Sequence, residues 1–273
     1  MSAATKVSEA TEAGVSLFAA KTWQDDGFVL LKNYYRGATQ DALRSYVEEL
    51  QAWPETAGKW MKYFERDAQA NRLLCRVENF LPYHPALAAL LKGQGMLSLV
   101  SDLMQEPALL FKEKINYKLP GGNGFTAHQD APAFVHFGQK YHITLMISVD
   151  ATTVENGCLE IVRKRHAQEM LPQATDGSLD PAFAQTLAWE PITTEPGDVL
   201  LFDSYIPHRS GKNRTDKPRR AYYITYNRAS EGDFRDQYYA DKRDNFPPEI
   251  ERVPGRDYSK GAGIYNVGNP ITK

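Results

Sequence analysis

Ile143-Thr144-Leu145-Met146-Ile147-Ser148-Val149-Asp150 is the stretch from which the architecture follows. Ile143, Leu145, Ile147 and Val149 alternate with Thr144, Met146, Ser148 and Asp150, the period of a strand with one buried face. Downstream, the turn signal Asn156-Gly157 leads into a strand-like run from Cys158 to Val162, and Pro196-Gly197 leads into Val199 to Phe202. Ala221 to Tyr226, rich in aromatic and β-branched residues, reads as a last strand. Upstream the period is helical. Thr39 is a cap candidate before Leu43, Tyr46, Val47 and Leu50, and Pro85 opens a second segment with Leu87, Leu90 and Leu91 on one face. Gly93 and Gly95 interrupt it, and near residue 110 the period switches to alternation. The expected fold is mainly β, a double-stranded β-helix (jelly-roll, cupin-like) core with an N-terminal helical layer. It forms a single domain over 1–273, with 1–15 flexible and 231–273 an irregular C-terminal tail.

Composition narrows the function by exclusion. Thirty-two basic residues against 34 acidic ones leave a net charge of −2, so neither nucleic acid nor an anionic membrane is an expected partner. Two cysteines, Cys75 and Cys158, do not make a disulfide framework, which points to a reduced, cytoplasmic setting. The chain holds no apolar run of about 18 residues, and Met1 to Ala20, carrying Glu9 and Glu12, does not read as a secretory signal. The partner is a small molecule, and the chain is compatible with a homodimer.

Chemistry enters at Phe125-Thr126-Ala127-His128-Gln129-Asp130. In an extended chain His128 and Asp130 point to one face, roughly 6.5–7 Å apart. His208, in Ile206-Pro207-His208-Arg209-Ser210-Gly211, follows the apolar run Val199 to Phe202, and a barrel brings it across to them. Two histidines and one carboxylate with open positions are the ligand set of non-haem Fe(II) oxygenases. Alone, a His-x-Asp pair is more often a solvated loop feature, and a lone histidine more often a hydrogen-bonded core residue. His136 and His142 compete as ligands, but no acidic residue lies between them; His84 reads as a surface or cap residue, and His166 sits in a basic cluster.

Eleven residues beyond His208 comes Arg219, with Ala221, Tyr223 and Thr225 on its face of the last strand. The turn before it, Gly211 to Pro218, sends the chain back so that Arg219 emerges beside the His208 strand. A guanidinium pointing inward needs a carboxylate. Either a protein Asp or Glu supplies it, or Arg219 grips the far carboxylate of a small diacid cosubstrate.

This pattern, His128-x-Asp130, His208 and Arg219, resembles the phytanoyl-CoA dioxygenase family of Fe(II)/2-oxoglutarate oxygenases, over about Phe111 to Asn227. The resemblance implies that His128, Asp130 and His208 ligate iron. It implies that Arg219 and Ser210 hold the far carboxylate of 2-oxoglutarate, with Asn116 and Phe125 beside it. Lys114-Ile115-Asn116-Tyr117-Lys118 is similar to a segment of ectoine hydroxylases, in which the residue matching Lys114 is an arginine facing the substrate's anionic group. The lysine is a departure that argues against ectoine itself. The implied reaction consumes O2, converts 2-oxoglutarate to succinate and hydroxylates an unactivated C–H bond. Asp130 favours hydroxylation over halogenation, because the halogenases of this superfamily have a small residue there.

Lys112 and Lys114 offer cations, and Phe134, Phe137 and Tyr141 offer aromatic faces, a combination suited to a small zwitterion. Ala127 to Ala133, Thr153 to Glu160 and Arg228 to Asp233 are similar to a narrower group. Its members hydroxylate 2-aminoethylphosphonate, or its trimethylammonium analogue, at the phosphorus-bearing carbon. Trp60, Tyr63 and Asn79, in the helical N-terminal part, are further candidate contacts. The competing readings are the same mechanism acting on an amino acid, betaine or secondary metabolite, and a cupin-like protein that binds metal or ligand without turnover. Zinc-dependent hydrolysis would require a glutamate base near the metal and no diacid arginine.

Overall fold

Alternation along the strands sorts the chain into two antiparallel sheets. The computed structural model describes residues 17–271, so the expectation for 1–15 lies outside the described residues. The first half runs α1 (Leu17–Asp26), β1 (Phe28–Leu31), α2 (Gly37–Ala52), β2 (Met61–Arg66), β3 (Arg72–Glu78), α3 (Pro85–Leu91), α4 (Gln94–Met104), β4 (Ala108–Lys118) and β5 (Phe125–His128). The second half runs β6 (His142–Ser148), β7 (Leu159–Ile161), α5 (Pro181–Gln185), β8 (Glu190–Ile192), β9 (Val199–Asp203), β10 (His208–Ser210), β11 (Arg219–Arg228), α6 (Arg235–Asn245) and α7 (Ser259–Tyr265). Seven strands form one sheet in the order β1-β9-β6-β11-β4-β3-β2, and four form the other in the order β5-β10-β7-β8. The expected β core with an N-terminal helical layer is the observed one.

The two faces of the large sheet have different tasks. One face carries Ile115, Tyr117, Ile143, Leu145, Ile147, Tyr222 and Ile224, which pack with Val47, Leu50, Leu87, Leu91 and Leu99 of the helices. Three tyrosines fasten this layer by donating to helix carbonyls: Tyr117 to Val47 at 2.9 Å, Tyr222 to Leu43 at 2.8 Å and Tyr226 to Leu91 at 2.8 Å. Each rings its apolar body into the core and spends its hydroxyl on a carbonyl that helix geometry leaves free for a second bond. The other face turns toward the small sheet and carries the polar groups described below.

Several local expectations are corrected. Helix α2 begins at Gly37 with Arg36 as an uncapped N-cap, so Thr39 is not the cap. β6 is buried on both faces, not one. Its hydroxyls tolerate this because Thr144 donates to Asp130 at 3.1 Å and Ser148 pairs with Thr194 at 2.6 Å. Trp60, Tyr63 and Asn79 lie not in helices but in and around the β2–β3 hairpin. The stretch after residue 231 is not irregular: α6 and α7 pack through Tyr238, Tyr239, Ala262 and Tyr265 against Phe111, Phe134 and Phe137. Helix α6 buries Arg235, Tyr238, Tyr239 and Lys242, a helical face of cations and aromatics that apolar periodicity does not detect. Among the described residues, no helix is long and apolar enough to cross a membrane.

Candidate active site

Pairing of β10 with β5 sets His208 opposite His128, with ring centroids 4.2 Å apart. Asp130 joins them by a different route from the strand alternation expected. It lies just past β5 in a helical conformation (φ −77°, ψ −33°), with its backbone N–H on the Ser204 carbonyl at 3.0 Å. Its Oδ1 is 4.0 Å from the Nε2 atoms of both His128 and His208. One ligand atom from each residue falls within 4.8 Å of the others, the one such group among the described residues.

The imidazoles are prepared as ligands. His128 Nδ1 sits 2.7 Å from the Thr126 carbonyl and His208 Nδ1 sits 3.1 Å from the Ile206 carbonyl. A carbonyl accepts only from N–H, so each Nδ1 carries the proton and each Nε2 lone pair faces the centre. Burial pushes the His128 imidazole down to about 3 and lowers His208 also, so both are neutral at physiological pH. Burial works against the Asp130 carboxylate, but His208, Lys114 and Lys112 hold it well below the usual carboxylate range. Its other oxygen is held by Thr144, which in turn meets Thr225 at 3.2 Å. Two neutral imidazoles and an ionised carboxylate fit a divalent metal with open positions. His136 and His142 are outside this group, and His84 caps α3 by accepting from Leu87 N–H at 3.2 Å.

Gly268 approaches this centre from the C-terminal segment. Its carbonyl accepts Thr126 N–H at 2.8 Å, its φ is +69°, and a Cβ there would stand 2.6 Å from His128 Nδ1. Gly268→Ala is therefore expected to displace the His128 ring and weaken metal binding roughly tenfold or more, on the scale of other second-layer changes. Equilibrium titration of metal into the variant checks it.

Two cavities meet at the triad and share Lys114, His128 and Asp130. The first is lined by Asn116, Phe125, Leu159, His208, Ser210 and Tyr223, and thus brings together several residues singled out from sequence. Arg219 stands behind the Tyr223 wall of this cavity on the large sheet, since β11 pairs with β4 and β6 and not with the His208 strand as expected. Arg219 is 1% exposed; it donates to Tyr223 Oη at 3.3 Å, and its Nε has no partner. Among the described residues no carboxylate pairs with it, so the internal salt-bridge alternative does not apply. A buried, incompletely bonded guanidinium fits an incoming carboxylate.

The second cavity is lined by four cations, Arg76, Lys112, Lys114 and Lys242, beneath Ile264, Tyr265, Val267 and Asn269 of the C-terminal segment. Register explains the convergence. Lys112, Lys114, Asn116 and Lys118 occupy one face of β4, opposite Thr225, Tyr223, Ala221 and Arg219 of β11, while β3 sets Arg76 beside Asn116 and Glu78 beside Lys114. Arg76 donates to Asn116 at 3.0 Å and Glu78 at 3.1 Å, and it also bonds Asn269. Lys242 donates to both Glu78 oxygens at 2.6 and 2.7 Å. Burial, followed by Arg76 and Lys112, drives Lys114 well below the ordinary lysine range.

The aromatic candidates fall elsewhere. Phe134 is fully buried against Phe111, with the Lys112 ammonium 4.4 Å from its ring centroid. Phe137 joins the same cluster, and Tyr141 stacks under Arg228 at 4.2 Å. Neither cavity includes any of these three. Trp60 packs on Trp53, and Tyr63 stacks on Phe246, donating to its carbonyl at 2.8 Å. Sequence reading missed Arg76, Tyr238, Lys242, Tyr265 and Asn269, which line the second cavity.

Comparison with known proteins agrees with this geometry. The family model for phytanoyl-CoA dioxygenase (PhyH) matches residues 23–221. The chain is 52% identical to a 2-aminoethylphosphonate dioxygenase from an uncultured bacterium (HF130_AEPn_1) over 250 residues, 91% of this chain and 95% of that one. It is 45% identical to a methylphosphonate hydroxylase of Gimesia maris over 224 residues, 82% of this chain and 85% of that one. Among solved structures, EctD from S. alaskensis with 2-oxoglutarate and 5-hydroxyectoine superposes with a TM-score of 0.68 at 22% identity, covering 82% of this chain and 80% of that one.

Proposed function

Because this chain belongs to the phytanoyl-CoA dioxygenase (PhyH) family, we propose that it hydroxylates a small organophosphonate, 2-aminoethylphosphonate or its N-trimethyl analogue, at the phosphorus-bearing carbon. The chain is an iron(II)- and 2-oxoglutarate-dependent dioxygenase. With both groups bound, O2 is consumed, 2-oxoglutarate yields succinate and CO2, and one oxygen atom enters a substrate C–H bond. The chain's own residues divide the remaining work. His128, Asp130 and His208 hold the metal. Arg219 and Ser210 take the far carboxylate of 2-oxoglutarate, with Asn116 and Phe125 along its flank. Lys112 and Lys114, joined by Arg76 and Lys242, take the phosphonate.

The observation that carries the substrate class is the charge of the second cavity. Its four cations meet only two carboxylates, Glu78 and Asp130. Iron(II) and the doubly charged 2-oxoglutarate offset one another at the other cavity, so the basic groups of this one are left for a substrate anion, whose arrival favours their charged forms. A phosphonate supplies two negative charges on one tetrahedral group; a carboxylate supplies one. Glu78 is taken by Arg76 and Lys242, and Asp241 accepts from Tyr265, so neither is free for the ammonium end. Tyr238 and Tyr265 line the same cavity, each already facing the Lys242 ammonium at 5.9 and 5.7 Å from its ring centroid. Cys75 and Cys158 are buried free thiols, which supports a reduced cytoplasmic setting where ferrous iron persists.

Substrate-dependent succinate release tests the reading. 2-Aminoethylphosphonate and its N-trimethyl form should drive turnover, and β-alanine, the carboxylate analogue with the same two-carbon spacer, should not. Methylphosphonate is the second reading, favoured by the 45% identical hydroxylase, and the same screen ranks it. Lys114→Met should raise the phosphonate KM roughly ten- to a hundredfold, the loss of one charged hydrogen bond, while leaving the 2-oxoglutarate KM within a factor of about three. Equal turnover with β-alanine, or an unchanged phosphonate KM, would sink the assignment.

A further inference from the structure

The second cavity has a volume of about 30 Å³, room for roughly two water molecules. 2-Aminoethylphosphonate has seven non-hydrogen atoms, so a wall has to move before it enters. The floor is fixed. Arg76 is held by Asn116 and Glu78, Lys242 by Glu78, and the Lys112 ammonium sits on the Phe134 ring. The roof is built differently, as a loop bonded to itself. The Asn266 side-chain amide donates to the Ile271 carbonyl at 3.1 Å and closes the base of the loop. Above it, the Asn269 side-chain amide donates to the Val267 carbonyl at 2.7 Å, and the Asn269 N–H to the Asn266 carbonyl at 3.1 Å. A loop closed in this way moves as one body. Its tip is fastened at the cavity: Arg76 donates to Asn269 Oδ1, and the Thr126 N–H donates to the Gly268 carbonyl at 2.8 Å. Thr126 belongs to β5, the edge strand of the small sheet, so the loop occupies the place of a further strand there.

We propose that residues 266–270 are the gate through which the second cavity fills, with the Arg76–Asn269 hydrogen bond as its latch. The inference rests on the proposed function in one respect, that this cavity receives the substrate. The latch is set on a cation of the floor, since the guanidinium that holds Asn269 also lines the space the anion enters. The ends of the gate are anchored. Tyr265, whose hydroxyl donates to Asp241, and Ile271 are both buried in the cluster formed by α6 and α7. Val267 lies against Gly177, where a Cβ would stand 2.9 Å from its Cγ2, so the closed loop has one seat to return to. The tip also reaches the metal ligands, because Gly268 packs on the His128 ring. Closure therefore roofs the cavity and seats the His128 ring in one movement, and opening releases both.

The test is hydrogen–deuterium exchange, resolved to single residues by mass spectrometry, on the iron(II)-loaded full chain without oxygen. The Thr126 amide reports the gate, because its acceptor is the Gly268 carbonyl and β5 is an edge strand. It should exchange faster than the amides of β6, which lie in the core and open on unfolding. Asn269→Ala should speed exchange at Thr126 about tenfold or more, the loss of one hydrogen bond to a charged group, and leave β6 within about twofold. Asn269→Asp loses the same bond to Val267 but keeps an oxygen for Arg76, so the rate should return to that of the wild type or fall below it. If Asn269→Ala does not fold, Asn269→Ser, also too short to reach Arg76, takes its place. Adding 2-oxoglutarate and 2-aminoethylphosphonate to the wild type should slow Thr126 exchange; a latch effect without that slowing would count against the substrate and not against the gate. Three results overturn the proposal: Thr126 exchanging in step with β6 in the wild type, no acceleration in Asn269→Ala, or equal acceleration in Asn269→Ala and Asn269→Asp, which would place the effect in the loop's own bonds.

Discussion

Replacing Asp130 with alanine is expected to abolish iron-dependent turnover, with the loss exceeding the roughly 10–100-fold that outer-layer changes cost a metal site. Asp130 is the sole anionic member of the triad, standing 4.0 Å from each histidine Nε2. Its charge offsets that of the metal in a region already crowded by Lys112 and Lys114. Removing it leaves two neutral imidazoles facing a dication and two lysines. Folding should survive, because the Asp130 side chain is tied to the protein by one Thr144 hydrogen bond, and its backbone bond to Ser204 does not depend on the side chain. Iron content after gel filtration, alongside succinate release, checks the prediction. A variant that keeps stoichiometric iron and full activity would remove Asp130 from the ligand set.

The second large effect is expected at Arg219. Alanine there should raise the 2-oxoglutarate KM roughly a hundred- to a thousandfold, the scale of breaking a buried ion pair at 3–5 kcal/mol. The phosphonate KM, measured at saturating 2-oxoglutarate, should move far less, because Arg219 bonds Tyr223 of the first cavity and is not among the cations of the other cavity. Steady-state kinetics with each substrate varied in turn separates the two. Collapse of phosphonate affinity with an unchanged 2-oxoglutarate KM would reverse the assignment of the two cavities.

The parts of the molecule legible in sequence are those whose residues obey ordinary burial rules. Val199 to Phe202 and Ala221 to Tyr226 are apolar strands and read as such, and the turns Asn156-Gly157 and Pro196-Gly197 stand where strands meet. The triad was legible because a chelating motif is short and chemically distinctive. The β2–β3 hairpin was missed for the opposite reason. Lys62, Glu65, Arg76 and Glu78 are buried there, satisfied by carbonyls, amides and one another. A residue-by-residue hydropathy pattern reads such segments as surface. Helix α6 hides for the same reason, since Arg235 meets Glu113 and Lys242 meets Glu78 inside the protein. The roof of the second cavity could not be placed at all, because Tyr265 and Asn269 reach Arg76 and the triad only through the return of a long chain segment. What remained visible was Lys112 and Lys114 on alternate positions of β4, and their common face is the signal that, extended to Lys118, would have marked the whole polar wall.

The most direct measurement is the fate of labelled oxygen in a single reaction. Iron(II)-loaded enzyme supplied with 2-oxoglutarate, 2-aminoethylphosphonate and 18O2 should give succinate and a phosphonate hydroxylated at the phosphorus-bearing carbon, each carrying one labelled atom. Label in succinate alone, with the phosphonate recovered unchanged, would contradict the proposed substrate and leave the oxygenase chemistry without the partner assigned to it.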